Sequence, residues 1–109
     1  MEYRAFYKTW RTLKKHLPLT QPTRLRRMPL SETDGDCDYR RGIFWIRIDK
    51  NLPEYYAIEV LLHEIAHVLA WGKDKKDVHG PNWGKAYSFV YRTYLSLDLV
   101  SIPLERLNY

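Results

Sequence analysis

The chain has 109 residues, 45% of them hydrophobic and 15% aromatic, with one cysteine and a formal net charge of +5. That length supports one domain over residues 1–109 with a core of its own, and the composition excludes a largely disordered chain. A lone Cys37 excludes an internal disulfide or a cysteine-rich zinc ribbon, and no apolar run reaches the length of a transmembrane helix.

In chain order, Tyr3, Phe6, Tyr7, Trp10, Leu13 and Leu17 recur at helical spacing, and Pro18 closes the segment. Arg4, Lys8, Arg11 and Lys15 form a basic stripe on another face of that helix. Residues 18–36 are rich in proline and read as loop, with a short strand at 24–28. Residues 37–40 and 43–49 flank a turn at Arg41-Gly42, which predicts a β-hairpin. In its second arm Phe44, Ile46 and Ile48 alternate with Trp45, Arg47 and Asp49. Residues 43–48 are expected to form an edge strand along a cleft, with Trp45 packed against the first helix. Pro53 suits the first turn of a helix running to about Trp71, Gly72 ends it, and Pro81 opens another to about Leu95. The last residues, through Pro103, are expected to fold back over the core. The plan is α+β: a helix, a small antiparallel sheet, then two further helices.

Charge is unevenly spread. Residues 1–50 hold twelve Lys and Arg against six Asp and Glu, whereas residues 51–109 hold six against seven. The basic groups Arg4/Lys8/Arg11/Lys15, Arg24/Arg26/Arg27 and Arg40/Arg41 are candidate contacts to nucleic acid, with Trp10 or Trp45 as stacking surfaces. A merely solvated surface is the competing reading. With no signal-like N-terminal stretch, a soluble, cytoplasmic, monomeric protein without membrane contact is expected.

Three of the four histidines fall within seventeen residues, as His63-Glu64-Ile65-Ala66-His67 followed by His79-Gly80-Pro81. Residues four apart lie one above the other on a helix, so His63 and His67 can reach one metal ion. Glu64, about 100° round the helix from His63, can stand beside that ion without ligating it. A metal that polarises a carbonyl and acidifies water, with a carboxylate to move the proton, is the equipment of amide hydrolysis. The helix is otherwise apolar almost all round (Ile58, Leu61, Leu62, Ile65, Val68), so its polar residues need partners. A catalytic zinc normally takes three protein ligands. The metzincin positions for a glycine and third histidine are Ala70 and Lys73, and no glutamate of the thermolysin kind follows before Leu104. Asp74, Asp77 and His79 remain, and His79 is favoured. Tyr87, Tyr91 and Asn82 are candidates to stabilise a tetrahedral oxyanion, or else belong to the core.

His-Glu-x-x-His, then a loop and His-Gly-Pro at the head of a helix, resembles the SprT-like metallopeptidase domain, the Spartan type that digests proteins crosslinked to DNA. GIFWIRIDKNL and VLLHEIAHVLAW follow the same pattern, and the resemblance extends over about residues 1–95. It implies a zincin-like fold and one zinc ion held by His63, His67 and His79. It also implies Glu64 as general base and a protein substrate, one bound or crosslinked to DNA, while a single-stranded DNA partner is the expectation from the basic groups. Many members carry a further cysteine-rich zinc ribbon, and with one cysteine this chain is expected to be a minimal form. The alternative is a catalytically silent, metal-stabilised module that binds nucleic acid or protein.

Overall fold

The computed structural model describes residues 3–97. In order it contains α1 (Arg4–His16), β1 (Thr23–Met28), β2 (Gly35–Arg40), β3 (Ile43–Asp49), α2 (Glu54–Leu69) and α3 (Pro81–Ser96). The class is α+β, as expected. The fold-back expected of the last residues lies outside the described residues.

The sheet is mixed and has the order β1-β3-β2. β2 and β3 form the expected hairpin, antiparallel with Cys37 opposite Ile46 and Tyr39 opposite Phe44. Its two-residue turn is set by positive φ at Arg41 (53°) and Gly42 (79°), the backbone twist that tight hairpins favour. β1 returns parallel to β3, pairing Thr23 with Phe44 and Leu25 with Ile46. The strand carrying residues 43–48 is therefore central, not an edge. The two edges are β1 and β2, and β2 also starts two residues earlier than expected, at Gly35.

One sheet face is covered by helix and the other is open. Phe44, Ile46 and Ile48 point inward and join Phe6, Leu13, Leu61, Leu62, Ile65 and Val90 in one core. α2 packs on α1, α3, β2 and β3, while α1 touches the other helices and not the central strand. Trp45 accordingly does not pack on α1: it stands on the open face, 5.5 Å below the guanidinium of Arg24. At the close approach of β2 to α2 only glycine fits, since a Cβ on Gly35 would lie 2.6 Å from Val60 Cγ1. No helix among the described residues is long and apolar enough to cross a membrane.

Candidate metal centre

The core fixes the rotation of α2. Leu61, Leu62, Ile65, Ala66 and Val68 are buried, which leaves the face bearing His63 and His67 half-exposed toward a cleft. Gly72, at φ 75°, lets the chain leave the helix and turn back. The loop then closes on itself: Asp77 Oδ1 accepts from the His79 backbone N–H at 2.9 Å, and Asp77 O accepts from Gly80 N–H at 2.9 Å. Asp74 holds the head of α3, accepting from Trp83 N–H at 2.8 Å and from the Asn82 backbone and side chain at 3.2 and 3.0 Å. His79 is thus aimed back at α2.

Three imidazole nitrogens converge as a result. His63 Nε2 and His67 Nε2 lie 3.2 Å apart, and His79 Nε2 is 3.1 Å from the first and 3.2 Å from the second. Tetrahedral zinc with bonds of about 2.0–2.1 Å requires neighbouring nitrogens roughly 3.3–3.4 Å apart, so the set is a metal-sized triangle. Its protonation suits a ligand as well. Burial first, then His63 and His79, holds His67 down to about 4, and burial with His79 lowers His63. Both offer free lone pairs at neutral pH. Asp74 and Asp77 spend their carboxylates on backbone, which leaves the three histidines as the donor set among the described residues.

Glu64 is only 5% exposed and has no hydrogen-bond partner among the described residues. Burial, and secondarily Asp36, raises its carboxyl to about 7. It lines a cavity of about 330 Å³ together with His63 and Tyr87. Tyr87 therefore stands at the site. Tyr91 does not line that cavity, being 40% exposed with its ring 6.1 Å further along α3. Asn82 is not brought to the cluster: its side chain donates to Asp74 Oδ1 at 3.0 Å and to Lys73 O at 3.4 Å.

One residue of the site, Trp83, was not singled out from sequence for this place. The Trp83 ring lies 4.9 Å from both His63 and His79 and 5.6 Å from His67, and its Nε1–H donates to His63 O at 3.4 Å. It forms a wall of the cluster, with Tyr87 stacked behind it at 5.2 Å. The available signal was the four-residue step from His79 through Trp83 to Tyr87. Cys37 lies within the field of Glu64: burial first, then that carboxylate, pushes its thiol up to about 12, so it is inert as a nucleophile.

The basic candidates divide. Arg24, Arg26, Arg40 and Arg41 gather on the open sheet face, where Arg26, Arg40, Arg41, Trp45 and Arg47 line a shallow depression. Arg4, Lys8, Arg11 and Lys15 are exposed on α1, away from that face. Arg27 turns inward instead, its guanidinium 3.5 Å over the Tyr3 ring and donating to Asp49 O at 3.1 Å. It packs against the start of α1 and lies apart from the arginines of the open face. His16 is exposed and closes on Thr12 O at 2.9 Å, as a helix-end residue should.

The fold and the histidine cluster together define a protein of the metallopeptidase type. The SprT-like family model matches residues 4–100. This chain belongs to the SprT-like family. Among solved structures it is similar to the metallopeptidase zymogen abylysin of Pyrococcus abyssi, at 21% identity and a TM-score of 0.59. That likeness covers 86% of this chain and 87% of the other, and it concerns the fold. No curated protein sequence matches significantly.

Proposed function

We propose that this chain is a zinc-dependent endopeptidase in which His63, His67 and His79 hold one zinc ion and Glu64 is the general base. The observation that carries the reading is Glu64: a residue only 5% exposed, without a hydrogen-bond partner among the described residues, opening into the same cavity as the ligand His63. A structural metal site has no use for such a group, because withdrawing a carboxylate from water without a partner costs stability. Bound zinc supplies Lewis acidity, polarising the substrate carbonyl and lowering the pKa of water. Glu64 takes the proton from the attacking water and delivers it to the leaving amine nitrogen, the work of a general base beside the metal. Of the two phenols that line the cavity, Tyr56 is engaged with Asp34, which leaves Tyr87 to donate to the oxyanion. The free edge of β2, whose first residue Gly35 lines the cavity, offers main-chain pairing to an extended substrate, which gives little sequence selectivity.

The substrate class we favour is protein bound or crosslinked to DNA. Support comes from the open sheet face, where Arg24, Arg26, Arg40 and Arg41 surround Trp45, a combination of cations and an aromatic platform suited to single strands. The test is cleavage of a basic DNA-binding protein with and without single-stranded DNA, beside Glu64→Gln and His79→Ala. Glu64→Gln should keep one zinc per chain and lose at least about a hundredfold in rate. His79→Ala should lose the zinc. Full activity in Glu64→Gln would remove the mechanism, and cleavage indifferent to DNA would remove the DNA-linked substrate.

A further inference from the structure

The cavity beside the histidine cluster carries charge of one sign. Its ionisable carboxylates are Asp34, Glu59 and Glu64, and no lysine or arginine lines it. Glu59 precedes His63 by four residues, so the two side chains share a face of α2 with Cβ atoms roughly 5–6 Å apart. Glu59 makes no ion pair or hydrogen bond among the described residues. Asp34, across the cavity at the entrance to β2, is oriented by the Tyr56 hydroxyl, which donates to its Oδ2 at 2.7 Å. The field of Glu59 reaches the far wall: burial first, and then this carboxylate, holds the Tyr87 phenol above its ordinary pKa. At the inner end Glu64, 5% exposed and unpartnered, opens into the same space. The volume of about 330 Å³ has room for one long side chain, and Gly35 keeps its β2 wall free of any side chain.

We propose that this cavity is a specificity pocket that takes a lysine or arginine side chain flanking the scissile bond, with Glu59 and Asp34 as the selecting carboxylates. The proposal rests on the peptidase reading above and deepens it. A carbonyl held near the histidines places the neighbouring side chain along the Glu59 face of α2. There a cation meets two carboxylates, an acidic side chain meets two like charges, and an apolar one gains nothing from them. Both carboxylates are exposed, so the preference is moderate and weakens as salt screens it.

The experiment uses the zinc-loaded full chain and quenched peptides with one cleavable bond, identical except for Lys, Arg, Leu or Glu beside it. Lys and Arg peptides should exceed the Glu peptide in kcat/KM by about tenfold, falling as salt rises from low to molar concentration. Glu59→Lys should invert the order, and Glu59→Gln with Asp34→Asn should flatten it. Equal cleavage of the Lys, Leu and Glu peptides, or an order unchanged by Glu59→Lys, would overturn the pocket and leave the peptidase standing. Binding of the same peptides to zinc-loaded Glu64→Gln gives a second reading that needs no turnover. If nothing is cleaved but Lys peptides bind most tightly and Glu59→Lys reverses this, the pocket holds and the peptidase reading fails. Equal binding of all peptides overturns the pocket in either case.

Discussion

Asp74 places His79 without touching it. Desolvation alone would raise its pKa, but the hydrogen bonds from the Asn82 side chain, Trp83 N–H and Asn82 N–H outweigh that, and the carboxyl titrates below its ordinary value. Gly80 is pressed so closely on it that a Cβ there would lie 2.9 Å from Asp74 Cγ. Asp74→Ala should therefore weaken zinc binding by about tenfold or more, as loss of a ligand's support does, with the helical signal retained. A chelator-competition titration measures it, and an unchanged Kd would show that His79 is held by other means. Glu64 and His67 make a second prediction, for the metal-free protein. His67 sits near 4 folded against 6.5 unfolded, so the unfolded chain binds protons first and stability falls as pH drops from about 6.5 to 4. Glu64 sits near 7 folded against 4.5 unfolded, so its charge destabilises the fold above about pH 7 and that burden lifts as pH falls toward 4.5. Glu64→Gln should raise the metal-free Tm at pH 8 and not at pH 4.5; a Tm difference independent of pH would refute the assignment. At this scale His63, Glu64 and His67 were legible because helical spacing alone juxtaposes them. The partners of Asn82 and Arg27, the Asp74 carboxylate and the Tyr3 ring, were not legible, because they lie eight or more residues away in sequence.

Among the elements, the hairpin was readable to within two residues, since alternation and the Arg41-Gly42 turn are local signals. The strand order was not. Alternation states which face of a strand is buried but not which strand lies beside it, so the parallel pairing of β1 with β3 makes β3 central and leaves β1 and β2 as the edges, of which β2 borders the cavity. This transfers the substrate-pairing role proposed for an edge from residues 43–48 to residues 35–40. Gly35 tests how tightly that edge is held. Its missing Cβ would meet Val60 Cγ1 at 2.6 Å and Arg47 O at 3.0 Å, so Gly35→Ala must push β2 off α2. A loss of about 1–3 kcal/mol in denaturant unfolding is expected, as for other overpacked sites, with part recovered by adding Val60→Ala. No recovery in the double variant would locate the strain at the Arg47 carbonyl instead.

For the whole molecule, α2 is the hub: it packs on both other helices and on two strands, and it carries two of the three histidines and Glu64. A rigid hub suits chemistry, because the site inherits the stability of the core. Charge is segregated around it. Arg24, Arg26, Arg40 and Arg41 gather on the open sheet face and Arg4, Lys8, Arg11 and Lys15 on α1, whereas the cavity at the site is lined by carboxylates. The sequence count showed the imbalance between halves but not this division, which depends on which strand face each residue takes.

The third histidine stands outside that hub, on residues 73–80, a loop containing exposed Lys73, Lys75 and Lys76. Zinc would tie this loop to α2 through His79, so removing the ion should release the loop while the core stays folded. Trypsin should then nick the chelated protein at these lysines and spare the zinc form, and equal digestion of the two would show that Asp74 alone keeps the loop closed. Metal occupancy would then be legible as the resistance of one loop to proteolysis.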